Sequence, residues 1–376
     1  MNQEQPASDT RPPSAVSTTA TSARAQVALA IVAVIALALW VLGALSSIFL
    51  LVFASALLAV FLTTLRGWIS RHTPLSETIS LALVLLLLAG ILGLGSWLLA
   101  STIAAQVEEL AERLPKATAR LGEYLERYTW GRELLANTPD WNLLRSRRVL
   151  EGATQVVSTT IGAATSFLVF LVLGIFFAFE PELYRRGLLR LFPLRRRARA
   201  AEVFDELGHV LGRWLLGKLV GMTAVGVALW VGLMLLGNPL ALTLALLAGV
   251  MNFVPYIGPL LSMIPAVLLA LLEGPSHAGY VVVLYLVVQN LEGYVLTPLI
   301  EKKTVSLPPA LTLSGQLVMG LLFGGLGVVL ATPFSAVLVT LTRRVYVQDL
   351  LGDESVDEPA PAPLPGIPEA TSIREG

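Results

Sequence analysis

The chain has 376 residues, of which 55% are hydrophobic and 14% charged, with a mean hydropathy of +0.74 and a formal net charge of zero. Soluble domains carry about 25% charged residues, so this composition excludes a soluble globular protein and places the chain in a membrane. Balanced charge gives no global field for nucleic acid, and the absence of cysteine excludes disulfides, thiolate metal sites and cysteine nucleophiles together.

Residues 1–24 are rich in Ser, Thr and Pro and are expected to form a disordered cytoplasmic tail. A signal peptide is the other reading of this end. The uncharged run from Ala25 to Leu65 argues against it, being far longer than a signal's apolar region. Residues 25–45 and 46–65 read as two spans joined at Ser46 and Ser47, and 77–103 as a third, so that 25–103 holds the first three. Residues 104–151 then carry acids and bases in near balance at helical spacing, the pattern of amphipathic helices outside the hydrocarbon. A fourth span is expected over 152–180.

Residues 181–212 crowd Arg185, Arg186, Arg190, Arg195, Arg196, Arg197 and Arg199 into a short loop. Basic loops stay on the cytoplasmic side. Four spans precede this one, so the N-terminus is expected there as well, in agreement with Arg66 and Arg71. A fifth span, 213–237, is entered through two GxxxG steps, Gly208 with Gly212 and Gly217 with Gly221, a spacing that lets helices approach closely. The fold expected is therefore an all-α integral membrane protein, a bundle of about eight membrane segments with an amphipathic extramembrane section. Residues 345–376 form an acidic, Pro-rich tail expected to be disordered, which places both termini in the cytoplasm.

The most telling stretch lies within the expected transport core, 213–344. Segment 240–272 is apolar enough for a bilayer, yet Pro255, Gly258, Pro259 and Pro265 interrupt it. Each proline removes a backbone donor, and freed backbone groups at membrane depth are tolerated only where protein or a water-filled cavity satisfies them. Broken membrane helices of this kind mark substrate or ion sites in secondary transporters. Segment 308–342 is a second apolar stretch, broken by Gly324, Gly325 and Gly327. A weak repeat links the two. The run Ala241-Leu242-Thr243-Leu244 recurs 69 residues later as Ala310-Leu311-Thr312-Leu313, Gly258 falls on Gly327, and Pro265 falls one residue from Pro333. Either both segments cross the membrane once, or each is a re-entrant hairpin and the two units are inverted. Lys302 and Lys303 fall outside in the first arrangement and inside in the second.

Candidate site residues follow from these breaks. Asn252, Pro255, Tyr256, Gly258 and Pro259 would form the tip of the first hairpin, and Gly324, Gly325 and Gly327 the tip of the second, with open backbone groups lining a cavity. Between them, Gln289, Asn290 and Glu292 are polar groups inside an otherwise apolar span. An ionisable residue there is costly and is a functional candidate by default, so Glu292 is the candidate for ion coupling, a proton or a sodium ion being the partner. A structural carboxylate paired with Lys218 is the alternative. No catalytic residue, metal site or cofactor is expected. His72, His209 and His277 lie far apart, no Gly-x-Ser-x-Gly elbow or Walker lysine occurs, and the pair Gly93 and Gly95 sits inside a span. The expected partners are the lipid bilayer and a small-molecule or ion substrate, with no nucleic acid.

The runs NFVPYIGPLLSMIP and QNLEGYVLTPLI, followed by Leu-Pro-Pro and Gly-Gly-Leu-Gly-Val-Val-Leu-Ala-Thr-Pro, resemble the bacterial autoinducer-2 exporter family of membrane permeases. In order and spacing the likeness covers most of 213–344. It implies a multi-pass inner-membrane protein, a homo-oligomer, that moves small solutes. Some relatives are associated with export of a signalling furanone and others with sodium/proton antiport, so the family name does not fix the substrate. Pro255, Gly258 and Pro259 match the family's central motif, and Glu292 and Pro298 its Glu and Pro, whereas the terminal tails depart from the common core. The function expected is a secondary transporter exporting a small polar solute such as a signalling molecule, with ion coupling as an added feature. A monovalent cation/proton antiporter is the alternative. A second alternative is a non-transporting membrane scaffold or regulator, holding partners through the Arg-rich loop and acidic tail.

Overall fold

The computed structural model describes residues 48–137, 160–296, 298 and 308–353, and every regular element in it is helical. The expected first span (25–45), the N-terminal tail, Lys302, Lys303 and the C-terminal tail beyond 353 lie outside the described residues. The start of the C-terminal tail, expected to be disordered, is instead a π-helical stretch, Thr342–Leu350, held to the rest of the chain through Asp349.

Helix α1, Ile48–His72, runs on through Arg66 and Arg71. After a short turn Ser76 caps α2 by accepting the Ile79 amide (3.4 Å), and Glu77 favours the positive end of the helix dipole. Helix α2, Glu77–Glu126, is 50 residues long and passes through the junction expected near 103. The change from apolar to charged sequence there is a change of surroundings and not of backbone, because Leu, Glu, Arg and Ala all favour helix. A short helix, α3, Thr129–Asn137, follows. Helix α4, Thr160–Phe179, is apolar. Its first half packs Ser55 Oγ against the Phe170 carbonyl (3.2 Å), and a small core of Ala59, Leu62, Leu81, Val84 and Ala178 joins α1, α2 and α4.

The Arg-rich stretch is not a loop. Pro181, which suits the first position of a helix, begins α5, Pro181–Arg190, at 86° to α4. A 3₁₀ turn, Leu194–Arg196, leads directly into α6, Arg197–Leu235, so the fifth span is the second half of a 39-residue helix. This helix ends in a Schellman motif: Gly237 (φ 75°) donates to Met234 O and Asn238 to Leu233 O, each at 3.0 Å.

The two broken segments are both helical hairpins. Helix α7, Ala241–Met251, and α8, Ile257–Glu273, share one core with α6 and with α9, Pro275–Leu291. Leu229, Leu233, Leu244, Ala248, Ala266, Leu269, Val281 and Tyr285 are its buried members. A Cβ on Gly258 would overlap the Met251 carbonyl oxygen seven residues earlier, which in a continuous helix would lie about 10 Å away. The chain therefore turns sharply at 252–256. The second hairpin, α10, Pro309–Leu341, keeps helical hydrogen bonding on both sides of Gly324, whose φ of 65° and ψ of −149° lie in a region open essentially to glycine alone. It passes for a span by length and composition, but it is not one rod. A Cβ on Gly327 would overlap Met319 O, one on Gly320 would lie 2.8 Å from Val328, and one on Gly315 would lie 2.8 Å from Ser335 Oγ. All three pairs bracket Gly324, as in two arms that double back on each other.

The turns correspond closely. Met251 and Pro265 recur 68 residues later as Met319 and Pro333, the positive-φ residues Tyr256 and Gly324 share that offset, and in each copy a glycine (Gly258, and Gly327 69 residues later) packs on the methionine carbonyl. The long helix α6 shows that the hairpins point in opposite directions. The first has its base at the C-terminal end of α6, where Leu233 and Leu240 share the core. The second ends at the N-terminal part of α6. There Arg344 grips Glu206 through two nitrogens (Nη2 to Oε1, 2.8 Å), and Arg199 bonds Asp349 (Nε to Oδ1, 3.0 Å) and Glu202 (3.0 Å). The hydrogen bonds Arg199 donates to Asp349 and Glu202 raise its pKa further and keep its guanidinium charged.

The glycine contacts yield a prediction. Gly258→Ala and Gly327→Ala should each lower the melting point of detergent-solubilised protein by the equivalent of about 1–3 kcal/mol. Gly279→Ala, in open space, should leave it unchanged or raise it. Equal melting of all three would contradict the packing of the turns.

Candidate functional site between the hairpins

The turn of the first hairpin is strained. Tyr256 has φ 64° and ψ −56°, and Ile257 N donates to Pro255 O at 2.7 Å, closing a γ-turn of the rare positive-φ kind. Positive φ at a bulky residue costs of order 1–3 kcal/mol and persists where the surroundings over-determine it. Pro255 lies in the turn, and Pro259 sits in the first turn of α8, where its missing N–H has no helical partner to lose. Pro259 O instead accepts Ser262 Oγ (2.9 Å).

A second hydrogen bond reaches the turn from the other hairpin. Gln316, on the first arm of α10 and 1% exposed, donates from Nε2 to Pro255 O at 3.0 Å. A carbonyl can only accept, so this bond fixes the amide orientation and leaves Gln316 Oε1 as a buried acceptor without a partner among the described residues. Asn252, 2% exposed at the C-terminus of α7, has the complementary lack: its Nδ2 is a buried donor without a partner among the same residues. Leaving a buried polar atom unpaired costs about 1–3 kcal/mol, so two such atoms at one turn call for an explanation beyond folding.

The third member is Glu292. It opens a π-helical turn, Glu292–Leu296, that continues α9, an irregularity frequent at functional sites. A Cβ on Gly221 of α6 would lie 3.6 Å from Glu292 Oε1 and 3.8 Å from Asn252 Nδ2. Glycine at 221 thus leaves a gap that the carboxylate and the amide share. Three elements meet here: α6 through Gly221, the 252–256 turn through Asn252, and the π turn after α9 through Glu292. The position is about 21 Å along α6 from Leu235, well inside the apolar part of the helix.

The structure brings Asn252, Pro255 and Glu292 together and sets the other candidates apart. Asn290 is exposed, folds its Nδ2 back onto Leu286 O (2.7 Å), and lies opposite the buried face of α9 formed by Val281, Tyr285 and Val288. Gln289 is half-buried next to Val288, and the Tyr256 side chain is 50% exposed. Gly258 serves the packing of the turn. Gly324 lies about 12 Å beyond Gln316 along the arm and Gly327 folds back onto Met319, so the flank of the second hairpin, rather than its tip, meets the first. Gln316 was not legible as a candidate, because one amide in a Leu-rich run looks like any isolated polar residue. Its offset from the Gly324 break was the one available signal. Buried Thr312, Thr332, Ser335 and Thr340, also on α10, were missed for the same reason. Gln106 was missed too: it accepts the Thr243 amide (3.0 Å) and donates to Pro239 O (3.0 Å), capping α7 and tying the base of the first hairpin to α2. Among the described residues no three His, Asp or Glu side chains gather as metal ligands.

A family model for AI-2E family transporters matches residues 29–346. The chain belongs to the AI-2E transporter family. Relatives agree along most of its length. "Putative transport protein YueF" of Bacillus subtilis (strain 168) is 27% identical over 277 residues, covering 70% of this chain and 75% of the relative. YrrI of the same organism is 25% identical over 312 residues (78% and 85%), and YhhT of Escherichia coli (strain K12) is 27% identical over 298 (74% and 79%); both carry the same description. The AI-2E protein described here is accordingly a multi-pass helical membrane transporter.

Replacing Gln316 separates folding from function. Gln316→Leu removes the orphaned acceptor and leaves Pro255 O bonded to Ile257 N, so its melting point should equal or exceed the native one. Gln316→Glu sets a carboxylate against a carbonyl and should cost about 1–3 kcal/mol. A large loss in the leucine variant would mean that the amide serves stability.

Proposed function

We propose that this AI-2E family member is a secondary transporter that exports a small polar solute through the space between its two hairpins, with Glu292 coupling the movement to a proton or sodium ion. The observation that carries the reading is two buried amide atoms without a partner among the described residues, Asn252 Nδ2 beside the Glu292 carboxylate and Gln316 Oε1 at the first turn. One donor and one acceptor suit a solute bearing hydroxyl or carbonyl groups, and a carboxylate in an apolar layer suits a cation. The strained turn favours mobility at this point, since the γ-turn is held by contacts that a moving hairpin would release. On this reading each hairpin re-enters from its own side of a bacterial inner membrane, both termini are cytoplasmic, and the protein works as a homo-oligomer without nucleic acid.

The second reading, a monovalent cation/proton antiporter, uses Glu292 in the same way without a solute. Proteoliposomes distinguish the two. Native protein should dissipate an imposed proton or sodium gradient, and Glu292→Gln should slow this at least tenfold. A response that requires the low-molecular-weight fraction of spent medium supports solute export, and a response to salts alone supports antiport. Equal fluxes in native and Glu292→Gln protein would remove Glu292 as the coupling group. Absence of any flux, with or without spent medium, would favour the scaffold reading instead.

A further inference from the structure

Helix α5 and the 3₁₀ turn after it play no part in the hairpin site, yet they hold the densest positive charge in the chain. Helix α4 is apolar and long enough, at 20 residues, to approach a full crossing. Because α5 leaves it at 86°, α5 runs in the plane of the bilayer surface. At 100° per residue, Leu183, Gly187, Leu191 and Leu188 fall in one arc of its helical wheel, and Glu182, Arg186 and Arg190 in the arc adjoining it, with Arg190 next to Leu183. Two contacts fix its remaining edge to α6: Arg185 with Asp205 (2.7 Å) and Phe192 edge-on to Phe204.

What is left faces outward. Leu191 is 80% exposed and Leu194 77%, and Leu183 and Leu188 are about half exposed. Arg186, Arg190, Arg195 and Arg196 are exposed as well. Among the described residues none of these four has a carboxylate partner; Arg186 bonds only the Glu182 carbonyl (3.1 Å). Their neighbours Arg185 and Arg199 do have acidic partners, so acids are within reach of the region and these four are left out. An apolar face in the surface plane, flanked by unneutralised guanidinium groups, is the arrangement of an interfacial helix on anionic lipid. Planar guanidinium also suits bidentate contact with phosphate.

We propose that Arg186, Arg190, Arg195 and Arg196, carried by the surface-lying α5 and the turn after it, form a binding surface for anionic phospholipid headgroups of the surrounding bilayer. Through Arg185–Asp205 and the neighbouring Arg344–Glu206 pair, lipid held there bears on α6 and on the end of the second hairpin.

The test uses full-length protein carrying Leu191→Cys, the single cysteine in the chain, labelled with a polarity-sensitive dye. The labelled protein is placed in phosphatidylcholine nanodiscs containing increasing phosphatidylglycerol. The dye emission should shift to the blue as phosphatidylglycerol rises, and strong salt should reverse the shift. The combined Arg190→Gln, Arg195→Gln, Arg196→Gln variant should need far more phosphatidylglycerol, about fivefold for each arginine removed. The corresponding triple lysine variant keeps the charge and should retain most of the response, which separates lost binding from lost folding. Coincident curves for native and triple glutamine protein would overturn the proposal, as would a native signal indifferent to phosphatidylglycerol. An arginine-dependent shift on adding duplex RNA, with none on adding phosphatidylglycerol, would overturn it in favour of nucleic acid.

Discussion

A chain that reverses inside a bilayer has to satisfy its own backbone at the reversal, and the rest of this structure is arranged around that need. At 252–256 the solution is local and tight. Gly258 lies against the Met251 carbonyl, Ile257 N closes the γ-turn onto Pro255 O, and Gln316 supplies a second donor from the opposite hairpin. At the second reversal Gly324 provides a conformation that side-chain-bearing residues avoid, and Gly327 provides the close approach to Met319. Hydrocarbon cannot donate or accept, so neither turn would persist if it faced lipid. The first turn is closed within protein by the buried Asn252 and Gln316, whereas residues 324–326 of the second are exposed in the single chain.

Long helix α6 supplies the frame. Its C-terminal half packs the first hairpin through glycines, Gly226 against Gly249 and Gly221 against the site, which lets the backbones approach closely. Its N-terminal part carries the acids that hold the end of the second hairpin. The bases of the hairpins are fixed by different chemistry: amide caps from Gln106 at the first, charged pairs at the second. Charged pairs on the arginine-rich side weaken with salt, whereas the neutral caps do not. The hairpins are thus anchored at opposite ends and touch in the middle through one amide–carbonyl bond of modest strength. That is a contact able to break without disturbing either anchor.

Much of this was legible in the sequence, for physical reasons. Hydropathy marks what can lie in lipid, so the helical membrane class followed from composition. Prolines and glycines mark where a helix cannot continue, so 252–259 and 324–327 stood out. Helix boundaries at charged sequence were not legible: arginine-rich 181–212 and the charged part of α2 are helical because Arg, Leu and Glu favour helix in water as in lipid. Nor were the partners of buried amides. Asn252 announced itself by sitting next to a proline break, while Gln316 lies eight residues from the nearest break and gains meaning only from the 61-residue contact to Pro255. Asn290 illustrates the reverse error. Its proximity to Glu292 in sequence suggested a shared site, but helical periodicity turns it to the opposite face.

The central claim is that the second broken segment doubles back, bringing the flank of one arm to the first turn. Because the chain contains no cysteine, a Gly315→Cys, Ser335→Cys pair tests this directly. Both side chains would meet across the two arms, since a Cβ on Gly315 lies 2.8 Å from Ser335 Oγ. In a single straight helix the same positions would be about 30 Å apart. Mild oxidation in native membranes should join them within one polypeptide, giving a faster-migrating band that reductant abolishes. Two cysteines that each react with a thiol reagent yet never cross-link would show that this segment crosses as a rod, and the arrangement described here would be wrong.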